Sequence, residues 1–418
     1  MKQETSLLPN WRSNMYLFLS GQFFSGVTSM VVQYAIIWYL TKQTGSATIL
    51  SFATLLGMLP MVLLSPLIGP FVDRTNKKIL LIVPDIVAAV VAIILATVGI
   101  ISSDFPLWLI FVSLLVRSIA QTFQMPTIQS IVPTMVPESE ITKINGQLGM
   151  VQSANMIIAP ALGALLYSIV PISYLILLDV LGAIVGVTII IFVKIPEHLI
   201  FDEKIRIFED VKFGLDKLRS NKGLWRITIM GSVFTLLFMP AGSMYPLMTI
   251  SYFHGTVAQA GIIEVVFSVG MLAGGTIIGL FGNWKDRMKP ILWSIFVMAA
   301  AFIPSGFLPG NFKGFIWFAI LNAIAGMSVP FFNTLLMAMI QQSYPPEILG
   351  RVLGILNSLM SISGPVGLIF AGPLADKIGV NMLFVIAGIG ALLCGAYILF
   401  TPLARNFDRD LQKKLSEE

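Results

Sequence analysis

Apolar residues run through this chain in long unbroken stretches, separated by short polar punctuation. The stretches cover roughly 15–40, 47–72, 79–101, 107–129, 144–170, 174–193, 225–252, 258–282, 290–308, 314–340, 352–374 and 380–402. None alternates with a period of two, which excludes an outer-membrane barrel built from strands of about ten residues. Most reach the roughly 20 residues that a helix needs to cross a bilayer. Only helices can satisfy every backbone polar group within such a segment. The pattern predicts an all-α integral membrane protein with twelve transmembrane helices. Lys42-Gln43-Thr44-Gly45 and Ser102-Ser103-Asp104-Phe105-Pro106 read as turns between them.

The sharpest polar interruption is Gly69-Pro70-Phe71-Val72-Asp73-Arg74-Thr75-Asn76-Lys77-Lys78. Ala47 to Val72 before it carries no charge, and Ile79 to Ile101 after it carries only Asp85. It reads as a short cationic loop at a membrane face. Glycine, three residues and Asp-Arg recur at Gly282-Asn283-Trp284-Lys285-Asp286-Arg287, again between apolar runs. Pro137-Glu138 is echoed by Pro346-Glu347, and Gly163 and Gly372 follow these pairs at equal separation. Such echoes predict two pseudo-symmetric six-helix bundles, 1–193 and 223–418, joined by a linker at 194–222. A substrate site is expected where repeats meet, near the bilayer midplane.

Composition agrees and charge sets the orientation. Of 418 residues, 56% are hydrophobic and 11% charged, against about 25% charged in a soluble domain; mean hydropathy is +0.88. With the N-terminus in the cytoplasm, the outside loops keep only Lys42, Lys313 and Lys377. Arg117 lies within a span, and every other basic residue falls on the inside, as membrane topology favours. Both termini are therefore expected in the cytoplasm. This clustering at segment ends argues that the basic pI is a topology signal, not a nucleic-acid surface. No cleavable signal is expected, since Met1 to Asn10 is polar and the first apolar run exceeds a signal core.

The linker places Ile205, Phe208, Val211, Leu215 and Leu218 at helical spacing among charges of both signs. It predicts an amphipathic helix along the membrane face, and His198 within it reads as solvated. The single cysteine, Cys394, can form no internal disulfide and reads as a small buried hydrophobe. Two histidines and one cysteine assemble no metal or catalytic constellation. No Walker-type nucleotide motif is present. The chain is read as no enzyme, with no cofactor.

Candidate chemistry sits inside the spans. Arg117 lies mid-span, where a charge costs about 2.5–3.5 kcal/mol on insertion scales. It should find an acid or a polar cavity, either locking two helices or taking part in coupling. Three carboxylates accompany it: Asp85, Asp179 and Glu264. Asp85 is read into an inner gate network with the Asp73-Arg74 cluster. Asp179 is a proton site or a structural partner, and Glu264 a wetted rim or a binding group. Gln22, Gln33, Gln121, Gln124, Gln152, Asn155, Asn322, Asn333 and Asn357 either bond between helices or line a wet cavity. With 29 Phe and 21 Met, they suit a broad apolar pocket with a few polar anchors. Pro160 and Gly163, and Gly364, Pro365 and Gly367, mark two flexible helices at corresponding places.

These residues resemble a known family. Gly69-x-x-x-Asp73-Arg74-x-x-Lys77-Lys78 resembles the loop signature of the major facilitator superfamily, and Gly282-x-x-x-Asp286-Arg287 its weaker second copy. Asn76 stands where the family usually has glycine, read here as tolerating a left-handed turn. Arg117 with Gln121 resembles the span-four basic motif. Ala159-Pro160-x-x-Gly163 is similar to the span-five motif of antiporters, with Ala159 replacing a glycine. Ala35 to Thr41, Thr44 to Ala47 and Leu55 to Pro60 are similar to the macrolide-efflux branch of drug:proton antiporters. The resemblance implies the major facilitator fold and cavity-lining spans one, four, seven and ten. It makes Asp73 and Arg74 a cytoplasmic gate and favours Glu264 and Arg117 over Asp179 for coupling. The expected partners are a small amphiphilic substrate, protons and membrane lipid, in a monomer in a bacterial plasma membrane. Export of a metabolite or siderophore, proton-coupled uptake, and a non-transporting receptor are the alternatives.

Overall fold

The computed structural model describes residues 10–102, 104–137, 140–196, 207–282 and 284–417. Its elements are α1 (Trp11–Thr44), α2 (Ala47–Arg74), α3 (Lys77–Ser102), α4 (Leu107–Met135), α5 (Ile141–Ile169), α6 (Ile172–Leu175), α7 (Leu178–Phe192), α8 (Ile207–Ser220), α9 (Lys222–Ser243), α10 (Tyr245–Leu247), α11 (Val257–Phe281), α12 (Met288–Ser305), α13 (Phe312–Ser343), α14 (Pro346–Ile378), α15 (Val380–Phe400), α16 (Pro402–Arg405) and α17 (Phe407–Glu417). A π-helical turn, Met248–Tyr252, follows α10. Twelve helical segments among the described residues are long and apolar enough to cross a membrane. The protein is an all-α, multi-pass membrane protein.

Contacts divide the chain into two units: Met1–Leu40 with Leu56–Ile205, and Thr41–Leu55 with Arg206–Glu418. In the first, Met15 and Phe18 of α1 pack with Leu81 of α3, Ile131 and Val132 of α4, and Ile190 of α7. Gly163 of α5 lets Trp38 of α1 approach: an added Cβ would lie 3.2 Å from its ring. In the second unit, Leu224, Ile291, Leu335, Leu356 and Ile398 bring α9, α12, α13, α14 and α15 onto one core. Here α11 and α13 meet backbone to backbone, for a Cβ on Gly274 would lie 2.1 Å from the Met327 carbonyl. Lipid offers no hydrophobic drive between helices, so close packing at small residues does this work.

Several sequence-derived boundaries shift for identifiable reasons. The expected cationic loop shrinks to Thr75-Asn76, because α2 runs through Arg74 and α3 begins at Lys77. Asn76 makes no left-handed turn; its side-chain oxygen accepts from the amides of Lys78 (2.9 Å) and Ile79 (3.2 Å). It caps α3. The span expected at 225–252 runs instead over Lys222–Ser243, since α9 stops there after Pro240 and Pro246 opens a further turn. The span expected at 174–193 likewise divides into α6 and α7.

The linker helix is real at Ile207–Ser220 and docks on α14. A Cβ on Gly214 would lie 2.7 Å from the Arg351 carbonyl, and Leu218 is buried. The Tyr344 hydroxyl donates to the Lys217 carbonyl at 3.1 Å, and burial pushes that phenol up to about 12. Ile205 and His198 lie outside the described residues, as does the Phe208 side chain. Near the start of α4, the Tyr39 hydroxyl donates to Asp104 and holds that exposed carboxyl below its ordinary value.

Candidate functional site

Within the first unit, α4 carries a polar face into an apolar bundle. Arg117, buried at its centre, pairs with Asp179 in the first turn of α7. Its guanidinium also donates to the Ser29 carbonyl at 2.7 Å and the Ser29 hydroxyl at 3.1 Å, both on α1. Of the three candidate acids, Asp179 is the one that meets Arg117, and the two form one ion pair. About two turns along α4, the Gln124 amide donates to Asp85 of α3. Gly186 of α7 leaves room there, since its Cβ would lie 3.2 Å from the Asp85 carboxylate and 3.3 Å from Ser25 of α1. Asp85 thus faces α1, α4 and α7.

The remaining candidates of this unit scatter around the pair. Asn155 of α5 is buried against Gly26 of α1, and its side-chain oxygen has no hydrogen-bond partner. The Gln33 amide approaches Gly57 of α2, whose carbonyl accepts from Ser118 at 2.8 Å. Gln121 is exposed, and Pro160 is buried within α5. Lys77 donates to the Ser130 carbonyl of α4 at 2.9 Å, and Lys78 to the Ile191 carbonyl in the last turn of α7 at 3.3 Å. Gly69, Asp73 and Arg74 lie on the final turns of α2, and their side chains are outside the described ones.

In the second unit the polar loop behaves differently. Arg287 is buried and donates to Asp408 of α17, 2.9 Å from Nε, and to Gln342 of α13 at 2.8 Å. Asp286 accepts from the Met288 amide at 3.2 Å and lies 3.5 Å from Arg409. Gly282 closes α11. The chain's last helix is thereby tied to the repeated motif. Gly364 and Pro365 are buried in α14, and a Cβ on Gly367 would lie 2.1 Å from the Leu236 carbonyl of α9.

Glu264 of α11 is half-exposed and makes no hydrogen bond or ion pair among the described residues. It lies within electrostatic reach of Tyr245, just past the end of the seventh span. The Tyr245 hydroxyl and the Thr249 hydroxyl are buried without hydrogen-bond partners. Around Tyr245 stand Phe267, Phe318 and Phe384, with ring centroids 5.9, 6.0 and 5.6 Å away. Just past the full-length span Lys222–Ser243, an unpaired carboxylate, two buried unpartnered hydroxyls and an aromatic wall come together.

Three contributions escaped the sequence. Tyr245 and Asp408 have the ordinary look of an interfacial aromatic and a tail acid. Asp376, near the end of α14, accepts from the Ala47 amide (2.8 Å), the Thr48 amide (3.1 Å), the Thr48 hydroxyl (2.6 Å) and the Ser46 hydroxyl (3.2 Å). It fills the anion site at the start of α2, just past Gly45 with its φ of +61°. Among the described residues, no His, Cys, Asp and Glu cluster could hold a metal ion.

Comparison with known proteins gives a consistent result. The family model of the Major Facilitator Superfamily matches residues 18–311 and 227–416. Macrolide efflux protein A of Streptococcus pyogenes is 37% identical over 394 residues, covering 93% of this chain and 96% of the relative. Macrolide efflux protein A of Enterococcus faecalis is 36% identical over 329 residues, 78% of this chain and all of that protein. The crystal structure of nucleoside transporter NupG superposes with a TM-score of 0.71 at 13% identity, covering 93% of this chain and 98% of that one. That of a POT family transporter in complex with a thioalcohol-conjugated peptide gives 0.72 at 14%, covering 93% and 96%.

Proposed function

The chain belongs to the major facilitator superfamily of membrane transporters, and on that premise we propose that it exports amphiphilic, macrolide-like compounds in exchange for protons. The observation that carries this reading is its likeness to macrolide efflux proteins over nearly the whole length. In the proposed orientation both termini face the cytoplasm of a bacterial cell, and a monomer works by alternating access. The Asp73-Arg74 turn acts as the inner gate. Glu264 is the proton carrier, supported by its lack of a counter-ion in a membrane span. The Arg117–Asp179 pair is the second charged element of coupling.

The test is an efflux panel in a drug-sensitised host, with and without an uncoupler. Macrolide accumulation should fall on expression and recover when the proton gradient is collapsed. Glu264→Gln should insert normally and abolish pH-driven efflux. Unchanged efflux by a well-expressed Glu264→Gln variant removes Glu264 from the mechanism, and no efflux of any panel compound by the parent protein removes the export reading.

A further inference from the structure

The second unit contains three cavities that share walls. The central one, of about 200 Å³, is lined by Met230, Phe234, Phe238, Met298, Phe332 and Cys394, with Ser294, Ser328, Thr235 and Asn333 as its polar points. A second lies between α12 and α13 and borders Trp284, Lys289, Trp293, Val297, Met327 and Phe331. Ser294 and Ser328 belong to both. A third lies among α9, α13 and α14, lined by Leu336, Asn357 and Ser361. It shares Thr235, Asn333 and Met360 with the central one.

Polarity changes in order along this row. The second cavity opens beside Trp293, which is 72% exposed, and the exposed Lys289. Tryptophan and lysine at a helix end are interfacial anchors, and in the proposed orientation this end of α12 meets the inner leaflet. The central cavity is methionine and phenylalanine, side chains that adapt to irregular apolar shapes. The third ends at Asn333, Asn357 and Ser361, all exposed amides or hydroxyls. Ser294 and Ser328 form the wall common to the first two, small side chains whose hydroxyls are turned onto their own helices, at 2.8 Å to the Ile291 carbonyl and 3.2 Å to the Ile324 carbonyl.

We infer that these cavities form a lateral entry path, by which an amphiphile dissolved in the inner leaflet passes between α12 and α13 into the second unit. The occupant is an uncharged molecule or the neutral form of a weak base. Lys289 stands at the mouth and no carboxylate lines any of the cavities. Ser294 and Ser328 stand where the first two cavities meet, and Phe238, stacked on Phe302 at 5.6 Å and Phe267 at 6.4 Å, joins the path to the aromatic wall around Tyr245. The inference rests on the export reading for its purpose but not for its geometry.

Cys394, the chain's single cysteine, makes the path measurable without transport. Purified protein in liposomes is treated with N-phenylmaleimide, which partitions into the bilayer, or with a sulfonated maleimide confined to water. N-phenylmaleimide should label Cys394 at least about tenfold faster, and Ser328→Phe and Ser294→Leu should each slow it by a similar factor. The variants are compared only as monodisperse protein, and a milder Ser328→Val should fall between. Equal rates for the two reagents, or labelling indifferent to both plugs, overturns the path. Erythromycin efflux by Ser328→Phe in cells should need a several-fold higher drug concentration for half-maximal rate. Normal labelling behaviour combined with no erythromycin efflux by the parent protein leaves the path standing and overturns the substrate assignment alone.

Discussion

Arg117 and Asp179 are the residues at which charge, burial and neighbours can be weighed together. Each is nearly inaccessible, and they meet across α4 and α7 with Ser29 of α1 as the third partner. Removing one partner of a buried pair strands the other and costs about 3–5 kcal/mol, whereas replacing both by apolar residues of similar volume is often nearly neutral. Arg117→Ala and Asp179→Ala should each lower the thermal midpoint of the purified protein sharply. The double variant Arg117→Met with Asp179→Leu, which keeps the volume filled, should sit closer to the parent than either. If the double variant is folded yet inactive, the pair serves coupling; if it pumps, the pair only locks α4 to α7. The sequence disclosed Arg117 because a mid-span guanidinium is anomalous anywhere, and it offered Asp179 as one of three acids. It could not choose among them, because the choice depends on the rotation of α7 relative to α4. Asp376 and Asp408 were illegible for the opposite reason: an acid near a helix end or in a charged tail looks like a solvated surface group.

Helix boundaries show where local chemistry overrides the apolar pattern. Hydropathy ends α2 at Val72 and starts α3 at Ile79, yet Asn76 caps α3 and the helices nearly meet. Hydropathy also reads 225–252 as one helix, because proline and tyrosine are apolar enough to hide the break at Met244. Just past that break Tyr245 and Thr249 sit unpaired, so what the pattern concealed is part of the candidate site. At the start of α2, four donors converge on Asp376 from residues 46–48. A helix N-terminus combines free amides with a positive dipole end, so an acid there is worth about 1–2 kcal/mol. Asp376→Ala should lower thermal stability by that order, while Asp376→Asn, which keeps an acceptor but no charge, should recover part of the loss. A conserved melting temperature in Asp376→Ala would show that Ser46 suffices as the cap.

At the scale of the whole molecule, the energetics of the proposed export depend on which form of the substrate travels. A proton entering down about 150 mV releases roughly 3.5 kcal/mol, or two to three decades of gradient. That energy is available only when exchange moves net charge. One neutral molecule out for one proton in carries one charge inward, so both membrane potential and pH difference drive it. One protonated amine out for one proton in is electroneutral, and potential contributes nothing. The path through the second unit, with Lys289 at its mouth and no acid along its walls, selects the neutral form on entry. In the proposed exchange, a substrate that reaches Glu264 unprotonated leaves that carboxylate free to carry the proton. Potassium-poor liposomes diluted into potassium-rich buffer with valinomycin hold the lumen positive while pH is kept equal on both sides. Inside-out-oriented protein should accumulate erythromycin when the lumen is made positive, and Glu264→Gln should not. Transport that follows an imposed pH difference but ignores potential would mean that the cation is the exported species, and that the proton and the substrate's charge exchange one for one.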